Sequence, residues 1–238
     1  MRSAEVSRRD TLAALLYQLS SFAMTKLANA TEGILRRAPA SWVHLLVYQL
    51  WEWVLPGKPV SPPEILKQQI VKEYEKRFRL RMFVETGTYL GEMVNAVQNR
   101  FDQIYSIELG LELYENAKRR FADKKNITII HGDSGEVLDE LLGHVNQPCL
   151  FWLDGHYSGG ITAKGEVETP IRRELSHIFN HSIASHHVIL IDDARCFIGD
   201  HDYPTIEELR NMSSSAGFDA FEVKHDVIRI HKLASYSK

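Results

Sequence analysis

Acidic residues close five short apolar runs in this 238-residue chain. "MFVE" ends on Glu85, "IYSIE" on Glu108, "ITIIHGD" on Asp133, "CLFWLD" on Asp154 and "VILIDD" on the pair Asp192 and Asp193. A carboxylate at such a place can accept hydrogen bonds from ribose hydroxyls, hold a hard divalent cation or take a proton. Taken singly, each is equally well read as a loop residue facing water or as a helix cap. A set of them at the ends of successive runs needs a common cause.

The elements between them supply one. From Arg81 onward the short apolar runs alternate with helical stretches, the pattern of a parallel α/β sheet whose strands are buried on both faces. Ligands of open α/β sheets bind at the carboxyl ends of the strands, so the acids should crowd one edge. Two further runs, around residues 218–223 and 227–231, are separated by a tight "KHD" connection and read as an antiparallel hairpin closing the sheet.

The first strand and its turn, "FVETGTYLGEMV", place Glu85, Thr86, Gly87 and Gly91 between a strand and a helix. Glycines there let the backbone approach a ligand closely. No Gly-Lys-Ser/Thr follows, and the spacing departs from G-x-G-x-x-G, so neither a Walker loop nor a dinucleotide fingerprint is present. Glu108 lies about twenty residues further on, at the end of the next strand, where a carboxylate can accept both ribose hydroxyls of an adenosine.

"ETGTYLG", "SIE", "HGDS" and "LDG" together resemble the class I S-adenosylmethionine-dependent methyltransferases, over residues 81–238. The resemblance implies a Rossmann-like, mostly parallel seven-stranded sheet with an antiparallel last strand. It also implies S-adenosylmethionine as cofactor, with Glu85, Thr86, Gly87 and Gly91 facing its methionine portion, Glu108 its ribose, and Asp133 and Ser134 its adenine. The resemblance further implies that Asp154 adjoins the methyl donor. Asp133 with Glu136 also has capping-box spacing, and one residue can do both jobs.

Asp154, Asp192 and Asp193 are similar in placement to the acids that hold magnesium in the metal-dependent, catechol-type small-molecule O-methyltransferases. Mg2+ or another divalent cation held there would lower the pKa of a substrate hydroxyl and align its oxygen with the sulfonium methyl. The alternative is a set of caps and salt bridges without metal. That family places a lysine shortly after the first metal aspartate, whereas this chain has His156 and Tyr157 there, with Lys164 further on. His156 is therefore the candidate general base, beside Asp154 as the other catalytic residue. The "SGG" that follows could let the loop close over a substrate.

Residues 1–80 read as a helical extension serving as a lid, for docking or for oligomerisation, ahead of the methyltransferase domain at 81–238 that the resemblance implies. Leu12, Leu15, Leu16, Leu19, Ala23 and Leu27 recur at helical spacing, and the segment "WVHLLVYQLWEWVL" is too short and too polar to span a bilayer. It suits a buried helix or a homo-oligomer contact, or rests at a lipid interface. After "LPGKPVSPP", Ser61, Pro62 and Glu64 start a helix with Leu66, Ile70, Tyr74 and Phe78 on one face. No basic-then-apolar leader opens the chain, and Cys149 and Cys196 suit thiols in a reducing compartment, so a cytoplasmic protein is expected. With a formal net charge of −3 and no basic stripe, nucleic acid is not an expected partner.

The reading is a methyltransferase acting on a hydroxyl of a small molecule. The alternatives are a nicotinamide-dependent oxidoreductase on the same cradle and a non-catalytic cofactor-binding or scaffold module. His177 and His181 have the i, i+4 spacing of a zinc pair but lack the accompanying glutamate, so zinc is not expected there.

Overall fold

The computed structural model describes residues 61–155 and 169–233. Seven strands form one sheet: β1 (Met82–Thr86), β2 (Gln103–Glu108), β3 (Ile127–His131), β4 (Cys149–Leu153), β5 (Val188–Ile191), β6 (Ala220–Lys224) and β7 (Val227–His231). Their order is β3-β2-β1-β4-β5-β7-β6, with β1 to β5 parallel and β7 antiparallel to both of its neighbours. The helices are α1 (Glu64–Phe78), α2 (Glu92–Val97), α3 (Leu111–Arg120), α4 (Ser134–Leu142), α5 (Ile171–Asn180) and α6 (Ile206–Ser215).

The unbroken apolar strand sequences follow from burial on both faces. Along β4, Cys149, Phe151 and Leu153 point into one core with Leu138 of α4, Leu175 of α5 and Leu209 of α6. Leu150 and Trp152, the alternate residues, join Val71 of α1 and Val94 of α2 on the other face. Each large side chain so enclosed contributes about 2–3 kcal/mol.

The expected helix after the proline-rich linker is α1, with Ile70 and Tyr74 buried and Leu66 and Phe78 packed against the same core. Val71 completes the face, and all five sit with Phe83 of β1 and Leu150 of β4. By sequence α1 falls within the extension, whereas its apolar side is built into the sheet's own core. The closing hairpin forms as expected, and within it β7 inserts between β5 and β6. His225 and Asp226, at φ 51° and 59°, make its two-residue turn, the left-handed pair that matches the twist of a hairpin. Among the described residues no helix is long and apolar enough to cross a membrane. The Trp-rich segment, His156, Tyr157, Lys164 and the "SGG" lie outside the described residues.

Candidate active site

Strand order reverses between β1 and β4, and the connections after them leave in opposite directions, opening a crevice at their carboxyl ends. Gly87 sits at that point with φ +84°, its N–H donating to the Ile107 carbonyl at 2.9 Å. A Cβ on Gly87 would lie 2.5 Å from the Asp154 carbonyl oxygen, and one on Gly91 would lie 2.8 Å from the Phe121 ring. Both glycines are therefore already required by contacts within the protein, a cause that the spacing alone does not reveal.

Beside this turn a chain of hydroxyls leads to a buried acid. The Thr88 and Ser106 hydroxyls are 2.6 Å apart, and Ser106 donates to Glu85 Oε2 at 2.5 Å. Glu108, at the end of β2, accepts the Tyr89 N–H on one carboxylate oxygen and the Gly110 N–H on the other, each at 2.8 Å. Two amides fix the plane of the carboxylate, and each oxygen retains a lone pair. Near it in the chain, Tyr89 and Leu90 on the turn after β1 and Leu111 at the start of α3 are exposed. A fixed acceptor with an apolar rim offers a nucleoside both a partner for its hydroxyls and a surface for its base.

Asp133 caps α4, accepting the Gly135 N–H at 2.8 Å, and its other oxygen accepts Arg173 at 2.9 Å. The capping box with Glu136 is replaced, since Glu136 lies 3.7 Å from Arg173. Ser134 donates to Glu174 Oε1 at 2.5 Å. Glu174 is a site residue that the sequence reading passed over. It is 1% exposed, also bonds the Thr86 hydroxyl, and would be 3.3 Å from a Cβ on Gly155. Burial, reinforced by Asp133, pushes its carboxyl up to about 7 against the pull of the two hydroxyl donors. One side chain thus ties the ends of β1 and β4 to the start of α4. The signal was present: Ile171, Glu174, Leu175 and Ile178 form the buried face of α5.

Beyond β4 and β5 lies a cleft whose walls include Asp154, Gly155, Thr169, Asp192, Phe197 and Tyr203. Phe197 and Tyr203 meet edge to face with centroids 5.1 Å apart. Asp192 is buried and paired with the ammonium of Lys67 from α1, while its second oxygen accepts the Asp193 N–H at 2.8 Å. Asp193 takes a left-handed backbone, φ 54°, and its carboxylate pairs with Arg195 at 2.7 Å. Arg195 also pairs with Asp226 in the hairpin turn.

The expected metal set does not fit this arrangement. Among the described residues no group of three or more His, Cys, Asp or Glu side chains is placed to hold a metal ion. Asp192 and Asp193 present their carboxylates to different cations, because the left-handed turn at Asp193 sends its side chain toward Arg195. Burial and the Asp154 carboxylate shift Asp192 upward, with Lys67 opposing.

His177, on α5, and His181, just past its end, have other partners. His177 donates from Nε2 to the Gly135 carbonyl at 2.9 Å, and the His181 ring stacks on His187. Cys149 is buried, which pushes its thiol up to about 12 and leaves it unsuited to nucleophilic attack.

No family model and no curated protein matches the chain. Solved structures share its fold. The SAH-bound methyltransferase PaMTH1 of Podospora anserina is similar with a TM-score of 0.54 and 14% identity, over 90% of this chain and 96% of that one. A candidate caffeoyl-CoA O-methyltransferase from Staphylococcus aureus gives 0.49 and 12% identity, over 90% and 99% of the two chains. The sheet of seven strands with its antiparallel β7 is the Rossmann-like methyltransferase fold that the sequence pattern led one to expect.

Proposed function

We propose that this chain transfers the methyl group of S-adenosylmethionine to a hydroxyl of a small molecule. The observation that carries the reading is Glu108, whose carboxylate is oriented by the Tyr89 and Gly110 amides beside the glycine turn at the switch point of the sheet. In this reading Glu108 accepts the ribose hydroxyls, and Tyr89, Leu90 and Leu111 shelter the nucleoside. Asp133 and Ser134 border the adenine. Glu85, Thr86, Gly87 and Gly91 shape the backbone that meets the methionine portion.

The acceptor occupies the cleft between Asp154 and the Phe197–Tyr203 pair. Its oxygen forms a bond to the methyl carbon as the carbon–sulfur bond breaks and sulfur keeps the electron pair. The hydroxyl proton passes to a base, for which Asp154 and His156 are the candidates. Holding oxygen and methyl in line supplies much of the rate. No step is routed through a divalent cation, since the carboxylates do not fit one. The helical extension is assigned to docking and self-association.

The test is incubation with S-adenosylmethionine labelled in its methyl group and a panel of phenols and alcohols, with a parallel titration of NAD. Label transferred to an oxygen supports the reading. Saturable binding of NAD without binding of S-adenosylhomocysteine would favour the oxidoreductase alternative instead.

A further inference from the structure

Lys67, on α1, reaches Asp192 in the wall of the cleft from an element that precedes every strand among the described residues. Its side chain is 12% exposed, and its ammonium pairs with Asp192, whose own side chain is 1% exposed. Asp192 is the direct partner of this lysine, and the negative charges of Asp154 and Asp193 add a smaller favourable field. Despite the cost of burial, Lys67 is held above its ordinary range by these carboxylates. Lys67, Ile70, Val71 and Tyr74 follow one face of the helix, which is why its stem is drawn inward with the apolar residues.

A magnesium ion needs a near-octahedral set of oxygens at about 2.0–2.1 Å. Among the described residues no such set is formed, for two reasons that reinforce each other. One carboxylate of the acidic pair faces Arg195, and the other is engaged by Lys67. We propose that Lys67 is the resident cation of this site: its ammonium occupies the side of Asp192 that a divalent ion would need, Arg195 engages Asp193, and the site accepts no such ion. The inference rests on the methyltransferase reading only for the reaction that the cation serves. There the tethered ammonium offsets the carboxylates beside the acceptor cleft and adds no exchangeable ligand.

The experiment is titration of Mn2+ into the full-length protein, with the free ion followed by electron paramagnetic resonance. The wild type is expected to show no stoichiometric site that depends on Asp192. Lys67→Met, which keeps the stem and removes the charge, should gain an Mn2+ site at least about tenfold tighter than any in the wild type. Adding Asp192→Asn to that variant should abolish it. Lys67→Arg should behave as the wild type, and it serves as the folded control if the methionine variant is unstable.

A stoichiometric Mn2+ ion in the wild type that Asp192→Asn releases would overturn the proposal, as would equal uptake by Lys67→Met and wild type. Binding of S-adenosylhomocysteine, measured on the same samples, reports separately on the methyltransferase reading. Its absence in the wild type would count against that reading without altering the metal result.

Discussion

The Cα of Gly87 faces the carbonyl of Asp154 so closely that a methyl group in place of its hydrogen would lie 2.5 Å from the oxygen. This contact joins the ends of β1 and β4, the two strands that flank the switch point. Gly87→Ala also has to hold φ at +84°. Strain and overpacking together should cost about 2–4 kcal/mol. The expected fall in Tm is roughly 4–16 °C for a chain of this size. An unchanged Tm would show that the two strand ends are not held this tightly.

Glu174 gives the fold a defined pH dependence. Its carboxyl is raised to about 7 in the folded protein, with burial the main cause, against an ordinary value of 4.5. The folded state therefore keeps the proton longer than the unfolded chain. The favourable contribution is complete below about 4.5, declines as pH rises, and is lost above about 7. Glu174→Gln keeps an oxygen for Ser134 and Thr86 and removes the charge. Relative to wild type it should be more stable at pH 8, by up to about 3 kcal/mol, with the difference vanishing near pH 4. Denaturant midpoints at the two pH values measure this, and a difference that grew toward acid would contradict it.

A chain beginning at Arg81 would remove α1 and with it Ile70, Val71 and Tyr74, each at most 4% exposed. Their burial contributes about 1.5–3 kcal/mol apiece, a total comparable with the whole stability of a domain. Such a chain is expected to lack a cooperative thermal transition. A soluble fragment with a sharp melt would show that the sheet stands without α1.

The sheet was legible because its inner strands are apolar on both faces and the helices between them are not, a contrast strong enough to survive without tertiary information. The hairpin was legible from its short connection, but β7's position beside β5 is a matter of pairing that no local pattern carries. Glu108 and Asp133 could be singled out by their places after β2 and β3. Which groups they bond depends on folding, and Asp133 is claimed by Arg173 from 40 residues away.

The metal expectation differs from the structure for the same reason. The acids stand out at the strand ends, whereas the cation that pairs with Asp192 lies on a helix where a lysine ordinarily reads as solvated. Lys67 and Glu174 share one sequence signal, a charged residue on the apolar face of an amphipathic helix. Buried charges are kept only where something compensates them. Such positions therefore point toward a site even before the partner is known.

The central claim is that Glu108 and the turn beside it form a nucleoside cradle for S-adenosylmethionine. Calorimetric titration of S-adenosylhomocysteine into the wild type and into Glu108→Ala tests it most directly, because it needs no acceptor and no turnover. The wild type should bind saturably, and the variant should lose about 1–3 kcal/mol, some 5- to 150-fold in Kd, as the ribose hydroxyls lose a charged acceptor. Its circular dichroism should match that of the wild type. No binding by the folded wild type, or equal affinity in the two proteins, would contradict the account.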